Sequence, residues 1–316
     1  MNKVEKKFGK ATRDAYGETL VEIGKTNPNV VVLDADLSKS TKSALFSEKF
    51  PERFFNVGIQ EANLVGVAAG LASCGKIPFI SSFASFLVSK GFDQFRMGVA
   101  FSELNVKVVG SHGGITVGED GASQMSIEDV ALMTSLPGFV VMVPADEVSA
   151  RTLVLETAKY IGPVYIRTGR PKAPVVHKAG TDFKIGKGVR LREGKDLTII
   201  ANGLEVFEAL EAAERLADEG ISASVIDMHT VKPLDGDLIL EEAKRTGHIL
   251  VAEEHQIWGG LGSAIATFLA KKHPCKMGFV AIQDTFAESG KAEELLEKYG
   301  LTHPHIVKAA KKLLGR

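Results

Sequence analysis

Short β-branched runs, each leaving into polar residues and then into apolar residues at helical spacing, recur along most of the chain. Residues 29–33 read Asn-Val-Val-Val-Leu, a run that predicts a strand buried on both faces. It leaves into Asp34-Ala35-Asp36-Leu37-Ser38-Lys39-Ser40. Residues 54–57, 76–80, 106–109, 140–143 and 164–167 predict five further strands. Helices alternate with them. One is expected to be capped by Thr12, with Arg13 and Asp14 in its first turn and Tyr16, Leu20 and Ile23 along one face. Residues 61–72 predict a helix so apolar all round that it should be buried. A helix running to about residue 100 carries Phe92, Phe95 and Val99 inward, and residues 127–136 and 147–160 predict two more.

The alternation breaks at residues 169–188, where Arg170-Pro171-Lys172-Ala173-Pro174 and mixed polar residues read as a linker. It then restarts with strands at 196–201, 222–226, 248–252 and 277–281 and helices at 206–218, 238–245, 261–271, 292–299 and 306–314. Alternating strands and helices imply an α/β fold, a doubly wound parallel sheet covered on both faces, followed by a smaller α/β domain. The expected boundaries are residues 1–175 and 186–316.

Composition narrows the function classes. The 316 residues suffice for two domains of about 150 residues, and 45% hydrophobic residues allow each a core. A net charge of −1, from 38 basic and 39 acidic residues, lacks the basic excess that a nucleic-acid partner demands. Cys74 and Cys275 are isolated, which fits a reducing compartment and argues against a disulfide framework or zinc site. The charged start, residues 1–7, has no apolar signal core, and no run approaches the length of a membrane span. The expectation is a cytoplasmic protein with no membrane or nucleic-acid partner.

Candidate chemistry collects at strand exits, where open α/β sheets take their ligands. Residues 110–124 (Gly-Ser-His-Gly-Gly-Ile-Thr-Val-Gly-Glu-Asp-Gly-Ala-Ser-Gln) combine five glycines with His112, Glu119, Asp120 and Gln124. Composition leaves open a plain surface turn. Glu61, between an apolar strand and an apolar helix, carries a desolvation cost unless a donor meets it. It reads either as a buried group suited to exchanging a proton or as a carboxylate facing a helix dipole. Phe83 and Phe86 are core residues or a wall for a flat ring. Arg13, Ser40, His112 and Arg170, each at an element end, offer donors for a phosphate. Gly259-Gly260-Leu261-Gly262-Ser263 reads as a glycine turn seating a helix rather than a phosphate loop, and His303 and His305 as helix-start residues. No metal site is expected in this chain.

Several motifs, in order, resemble transketolase: Ala11-Thr12-Arg13-Asp14-Ala15-Tyr16-Gly17, Gly58-Ile59-Gln60-Glu61, Ser82-Phe83-Ala84-Ser85-Phe86, Phe92-Asp93-Gln94-Phe95-Arg96-Met97, Gly118-Glu119-Asp120-Gly121 with His112 before it, and Ile166-Arg167-Thr168-Gly169-Arg170-Pro171. The resemblance covers nearly the whole chain, but only the C-terminal portion of a full-length transketolase. It implies a domain that binds the pyrimidine of thiamine diphosphate, followed by the family's C-terminal domain. Glu61 then hydrogen-bonds the pyrimidine ring nitrogen and promotes the imino form of the cofactor. Phe83 and Phe86 form the pyrimidine pocket, and Asp36 lies close to the cofactor. Asp120 holds a substrate hydroxyl beside the reacting carbon, while Arg13, Ser40, His112 and Arg170 grip the sugar phosphate. Glu61, Asp120 and His112 are the implied catalytic set.

Two departures qualify the match. Gln124 stands where many transketolases carry a substrate-contacting histidine. The chain also lacks the Gly-Asp-Gly and later Asn that hold the diphosphate and Mg²⁺; Asp235-Gly236-Asp237 has another order and lies in the second domain. The resemblance therefore implies a split, pentose-phosphate-pathway transketolase. Its N-terminal partner subunit carries the diphosphate and Mg²⁺ site, with two of each chain in a heterotetramer. The rival readings are another thiamine diphosphate enzyme half, either a 2-oxo acid dehydrogenase beta subunit or a piece of deoxyxylulose-phosphate synthase, and a non-catalytic sugar-phosphate binder.

Overall fold

A computed structural model of the protein describes residues 7–316. The expected absence of a signal segment falls mostly on residues 1–6, outside the described part. The chain runs β1 (Phe8–Ala11), α1 (Thr12–Thr26), β2 (Val30–Asp34), α2 (Ser38–Thr41), α3 (Ala44–Lys49), β3 (Phe54–Asn56), α4 (Glu61–Ser73), β4 (Ile77–Phe83) and α5 (Ala84–Gln94). A π-helical turn, Phe95–Ala100, prolongs α5. Then come β5 (Lys107–Ser111), a 3₁₀ turn at Ile115–Asp120, α6 (Asp129–Ser135), β6 (Val140–Met142), α7 (Glu147–Lys159), β7 (Val164–Thr168) and β8 (Lys172–Pro174). The second half holds β9 (Val189–Arg192), β10 (Leu197–Ala201), α8 (Glu205–Asp218), β11 (Ala223–Asp227), β12 (Thr230–Lys232), α9 (Gly236–Thr246), β13 (His248–Gln256), α10 (Leu261–Lys272), β14 (Lys276–Ile282), α11 (Ala292–Lys298) and α12 (His303–Leu314).

The large sheet has the order β12-β6-β7-β5-β4-β2-β3, parallel throughout except for β12. Its strand order reverses between β2 and β4, and open α/β sheets take ligands at the carboxyl ends of strands beside such a reversal. The small sheet runs β14-β13-β10-β11-β9, with only β9 antiparallel, and reverses between β10 and β13. The expected α/β architecture therefore holds, and the two units share more than a linker. Strand β12 leaves the small unit to pair with β6, and one apolar core runs from Val31, Ile80 and Val108 to Met228, Val231 and Ile239.

Local chemistry accounts for several boundaries. Thr12 is not the cap of α1: Ala11 holds the extended N-cap position, and the Thr12 hydroxyl accepts from the Gly169 N–H at 2.7 Å, tying the helix to the exit of β7. Residues 169–188 are less of a linker than their composition suggests. Strand β8 pairs with β1, and His177 and Phe183 are buried. Asp235 caps α9 through Leu238 N–H. The glycine turn before α10 seats a helix, because the Glu253 carboxylate accepts from the Leu261 and Gly262 amides at 2.7 and 2.8 Å. His303 starts α12, and its N–H donates to Glu208.

Helix α4 departs from expectation. Leu64, Val65, Ala68 and Ala69 pack against α5 and β4, but Gly66, Val67 and Gly70 are exposed. Ile59, Met97 and Phe101 are exposed in the neighbouring segments. Exposed apolar side chains gathered on one side of a helix mark an interaction surface.

Candidate active site

Glu61 is the first residue of α4, where the chain turns sharply at Gln60 (φ −147°, ψ 68°). Its side chain is only 3% exposed. Oε2 faces the Lys90 ammonium at 3.4 Å, while Oε1 is buried with no hydrogen-bond partner. A buried acceptor left open is uncommon in folded proteins and asks for a donor from outside the chain.

The aromatic pair stands beside it. Phe83 closes β4 at the N-cap of α5, and Phe86 follows in the first turn of that helix. Their rings stack at 5.6 Å with 14° between planes. Lys90, one turn beyond Phe86, sits 4.7 Å over the Phe86 ring, so it touches both the aromatic wall and Glu61. Phe83 also stacks on His112, at 3.8 Å and 22°.

His112 follows β5 in a left-handed conformation, φ 59°, a strained state for a residue with a side chain. Its Nδ1 is 2.8 Å from the Ser111 hydroxyl and its Nε2 is 2.9 Å from an Arg13 guanidinium nitrogen. A guanidinium only donates, so the hydrogen-bond network assigns Nε2 as acceptor and places the proton on Nδ1. Burial, then the charges of Arg13, Arg170 and Lys42, push its pKa down to about 3. The imidazole is therefore neutral at pH 7. Because the folded pKa is depressed, its contribution to stability is complete above about pH 6.5 and is lost as pH falls toward about 3. An NMR titration between pH 5 and 8 should find the His112 ring resonances flat. A midpoint near 6.5 would overturn the buried, cation-flanked environment.

Arg13, in the first turn of α1, also donates to the Ser40 carbonyl at 3.1 Å; its Nε is buried and unpartnered. Burial lowers its pKa, Asp14 opposes that, and Arg170 reinforces it. Arg13 and Arg170 line one cleft of about 350 Å³ with Val117, Gly118, Glu119 and Lys291. Arg170 donates to the Val117 carbonyl and lies 3.6 Å from Asp120 and 3.7 Å from Glu119.

Of the residues expected to form the site, the structure links Ser40, Arg13, His112, Phe83, Phe86 and, through Lys90, Glu61 into one run of contacts. Asp120 joins through Arg170. Asp36 stands apart from that run. It is exposed at φ 66°, and its carboxylate and amide are engaged by Asn56 at 2.9 and 3.1 Å. Gln124 reaches the aromatic wall through its carbonyl, which accepts from the Ser85 hydroxyl at 3.0 Å, while its side chain accepts from Ser123. Lys90 and Lys291 were not expected. The spacing of Lys90 four residues after Phe86 was a usable signal; nothing near Lys291 in the sequence points to a cleft on the other unit. Among the described residues no group of three or more His, Cys, Asp or Glu side chains is placed to hold a metal.

Two mostly parallel sheets flanked by helices, with a polar cleft lined by Arg13, Arg170 and Lys291, define an α/β protein. Residues 9–175 match the transketolase pyrimidine binding domain and residues 186–306 the transketolase C-terminal domain. The chain belongs to the transketolase family. It is 47% identical to a putative transketolase C-terminal section of Methanocaldococcus jannaschii, over 95% of each chain. It is 43% identical to a 6-deoxy-6-sulfo-D-fructose transketolase subunit of Clostridium sp. (strain MSTE9), covering 96% of this chain and 94% of that one. A solved structure described as a split gene transketolase in an inactive beta4 tetramer superposes with a TM-score of 0.91 at 50% identity, over 97% of this chain and 99% of that one.

Proposed function

We propose that this chain is the C-terminal subunit of a two-chain, thiamine diphosphate-dependent transketolase that moves a two-carbon ketol unit from a ketose phosphate to an aldose phosphate. The observation that carries the reading is the open acceptor of Glu61, joined through Lys90 and the Phe86–Phe83–His112 stack to Arg13, which lines a cleft with Arg170. An aminopyrimidine matches these groups chemically, since it offers a flat ring to the aromatic pair and a ring nitrogen that can share a proton with Glu61. When bound, thiamine diphosphate supplies the carbon nucleophile and electron sink for cleaving the bond next to a ketose carbonyl.

The chain's own residues then divide the work. Glu61 holds or exchanges a proton at the pyrimidine nitrogen, and its burial keeps water from competing for Oε1. Phe83 and Phe86 fix the ring plane, with Asp36 placed toward the cofactor side by family resemblance alone. Asp120 accepts from a substrate hydroxyl. Arg13, Ser40, His112 and Arg170 receive the phosphate. An anion in the cleft competes for the Arg13 guanidinium, which frees His112 Nε2 to carry a proton and donate.

The diphosphate and Mg²⁺ belong, on this reading, to an N-terminal partner subunit, with two copies of each chain. Support comes from the uncovered face around α4, from the words C-terminal section in the name of the Methanocaldococcus relative, and from the inactivity stated for the beta4 tetramer of the split-gene relative. No helix among the described residues is long and apolar enough to cross a membrane. The name of the Clostridium relative favours a second reading of the same site, in which a sulfonate replaces the sugar phosphate, because the arginine pair suits either anion. Reconstitution tests both: the pair of chains should transfer ketol units where this chain alone does not, and the preferred donor, phosphate or sulfonate, separates them.

A further inference from the structure

The small sheet has its own ligand crevice, at the carboxyl ends of β10 and β13 where its strand order reverses. That crevice is filled by the large unit. Gly113, Arg167 and Thr168 face Asn202, Gly203 and Glu254 there across a gap that leaves about 20 Å³. The Glu254 carboxylate accepts from the Thr116 N–H at 2.7 Å, and the Glu254 carbonyl accepts from Arg167 at 2.7 Å. Arg167 is itself held by Asp129 at 3.1 Å and donates to the Ser126 carbonyl. Gly114, at φ 84°, lets the carboxylate in: a Cβ there would lie 2.1 Å from Glu254 Oε1.

Thr116 sits in the 3₁₀ turn Ile115–Asp120, which also carries Val117, whose carbonyl takes Arg170, and Asp120, 3.6 Å from Arg170. The small unit touches the far end of the same turn. A Cβ on Gly118 would meet the Gly290 carbonyl at 3.3 Å, and one on Gly121 would meet the Ser289 hydroxyl at 2.4 Å.

We propose that Glu254 is a positioning residue: by accepting from the Thr116 N–H it clamps the 115–120 turn and so sets where Asp120 and Arg170 meet the substrate. The small unit's ligand crevice thus serves as a vice for the substrate loop of its neighbour. This rests on the transketolase reading for its kinetic consequence, though not for the clamp itself.

The test uses Glu254→Asp, Glu254→Ala and Glu254→Gln in the two-chain holoenzyme, with hydrogen exchange on the full chain alongside. Asp withdraws the acceptor by one methylene and Ala removes it, while Gln keeps an acceptor oxygen in reach. Losing one such bond is worth about a tenfold change, so the KM for the ketose phosphate should rise ~10-fold in the Asp and Ala variants. Half-saturation by thiamine diphosphate should stay within about twofold, since the Glu61 pocket makes no contact with Glu254. Gln keeps the acceptor but gives up the charge facing buried Arg167, so its KM should rise less than that of Ala. The Thr116 amide should exchange faster in Asp and Ala and not in Gln. If Ala fails to assemble, the Asp and Gln pair still decides. An Asp variant with wild-type KM and exchange, or a Gln variant as impaired as Ala, overturns the clamp. A wild-type pair without ketol transfer but with the expected exchange pattern overturns the functional reading and leaves the clamp standing.

Discussion

Glu61→Gln in the reconstituted complex is expected to lower kcat by about 10²- to 10⁴-fold, the usual contribution of a positioned acid or base. The substitution keeps the volume and the helix start, so folding and assembly should be unaffected. What it removes is the ionisable oxygen. Oε1 is buried without a partner in the free chain, and Lys90 serves only Oε2. Cofactor affinity should fall far less than turnover, because a glutamine can still hydrogen-bond the ring. Steady-state kinetics with a thiamine diphosphate titration would separate the two. Full activity in the glutamine variant would remove the role assigned to Glu61.

Arg170→Ala is expected to raise the KM for phosphorylated donor and acceptor by about 10- to 100-fold, the scale of one charge-assisted hydrogen bond lost. Turnover at saturation should fall as well, since Arg170 also holds the Val117 carbonyl and stands 3.6 Å from Asp120. Substrates without a phosphate should lose much less. An equal loss for phosphorylated and unphosphorylated substrates would mean that Arg170 braces the loop and does not grip the anion.

The alternation of elements was readable from periodicity because most strands of the large sheet are buried on both faces, as in β2 and β5. Strands that escaped, β1, β8, β9 and β12, are short and sit at sheet edges or in the small two-stranded sheet, where a few residues carry no period. Strand β13 runs past its expected end at residue 252 into Glu253-Glu254-His255-Gln256. These polar residues look like a loop, but Glu253, Glu254 and His255 are buried there, the two carboxylates met by the α10 amides and the Thr116 N–H. The apolar α4 read as wholly buried, and one chain covers only one side of it.

Single site residues were visible only as polar groups at strand exits. Arg13 and His112 are 99 positions apart, and no spacing rule predicts their 2.9 Å contact. Family resemblance pointed to both; what brings them together is the start of α1, tied through Thr12 to the exit of β7, beside the exit of its neighbour β5. Glu254 and Lys291, from the second unit, had no such pointer, since their relevance depends on how one sheet seats against the loops of the other.

A transfer assay with purified subunits tests the two-chain transketolase most directly. This chain, mixed with an N-terminal partner carrying Gly-Asp-Gly and the downstream Asn, plus thiamine diphosphate and Mg²⁺, is predicted to convert xylulose 5-phosphate and ribose 5-phosphate by two-carbon transfer, while each chain alone is inactive. Absence of transfer in the assembled pair, with pyruvate decarboxylated instead, would contradict it.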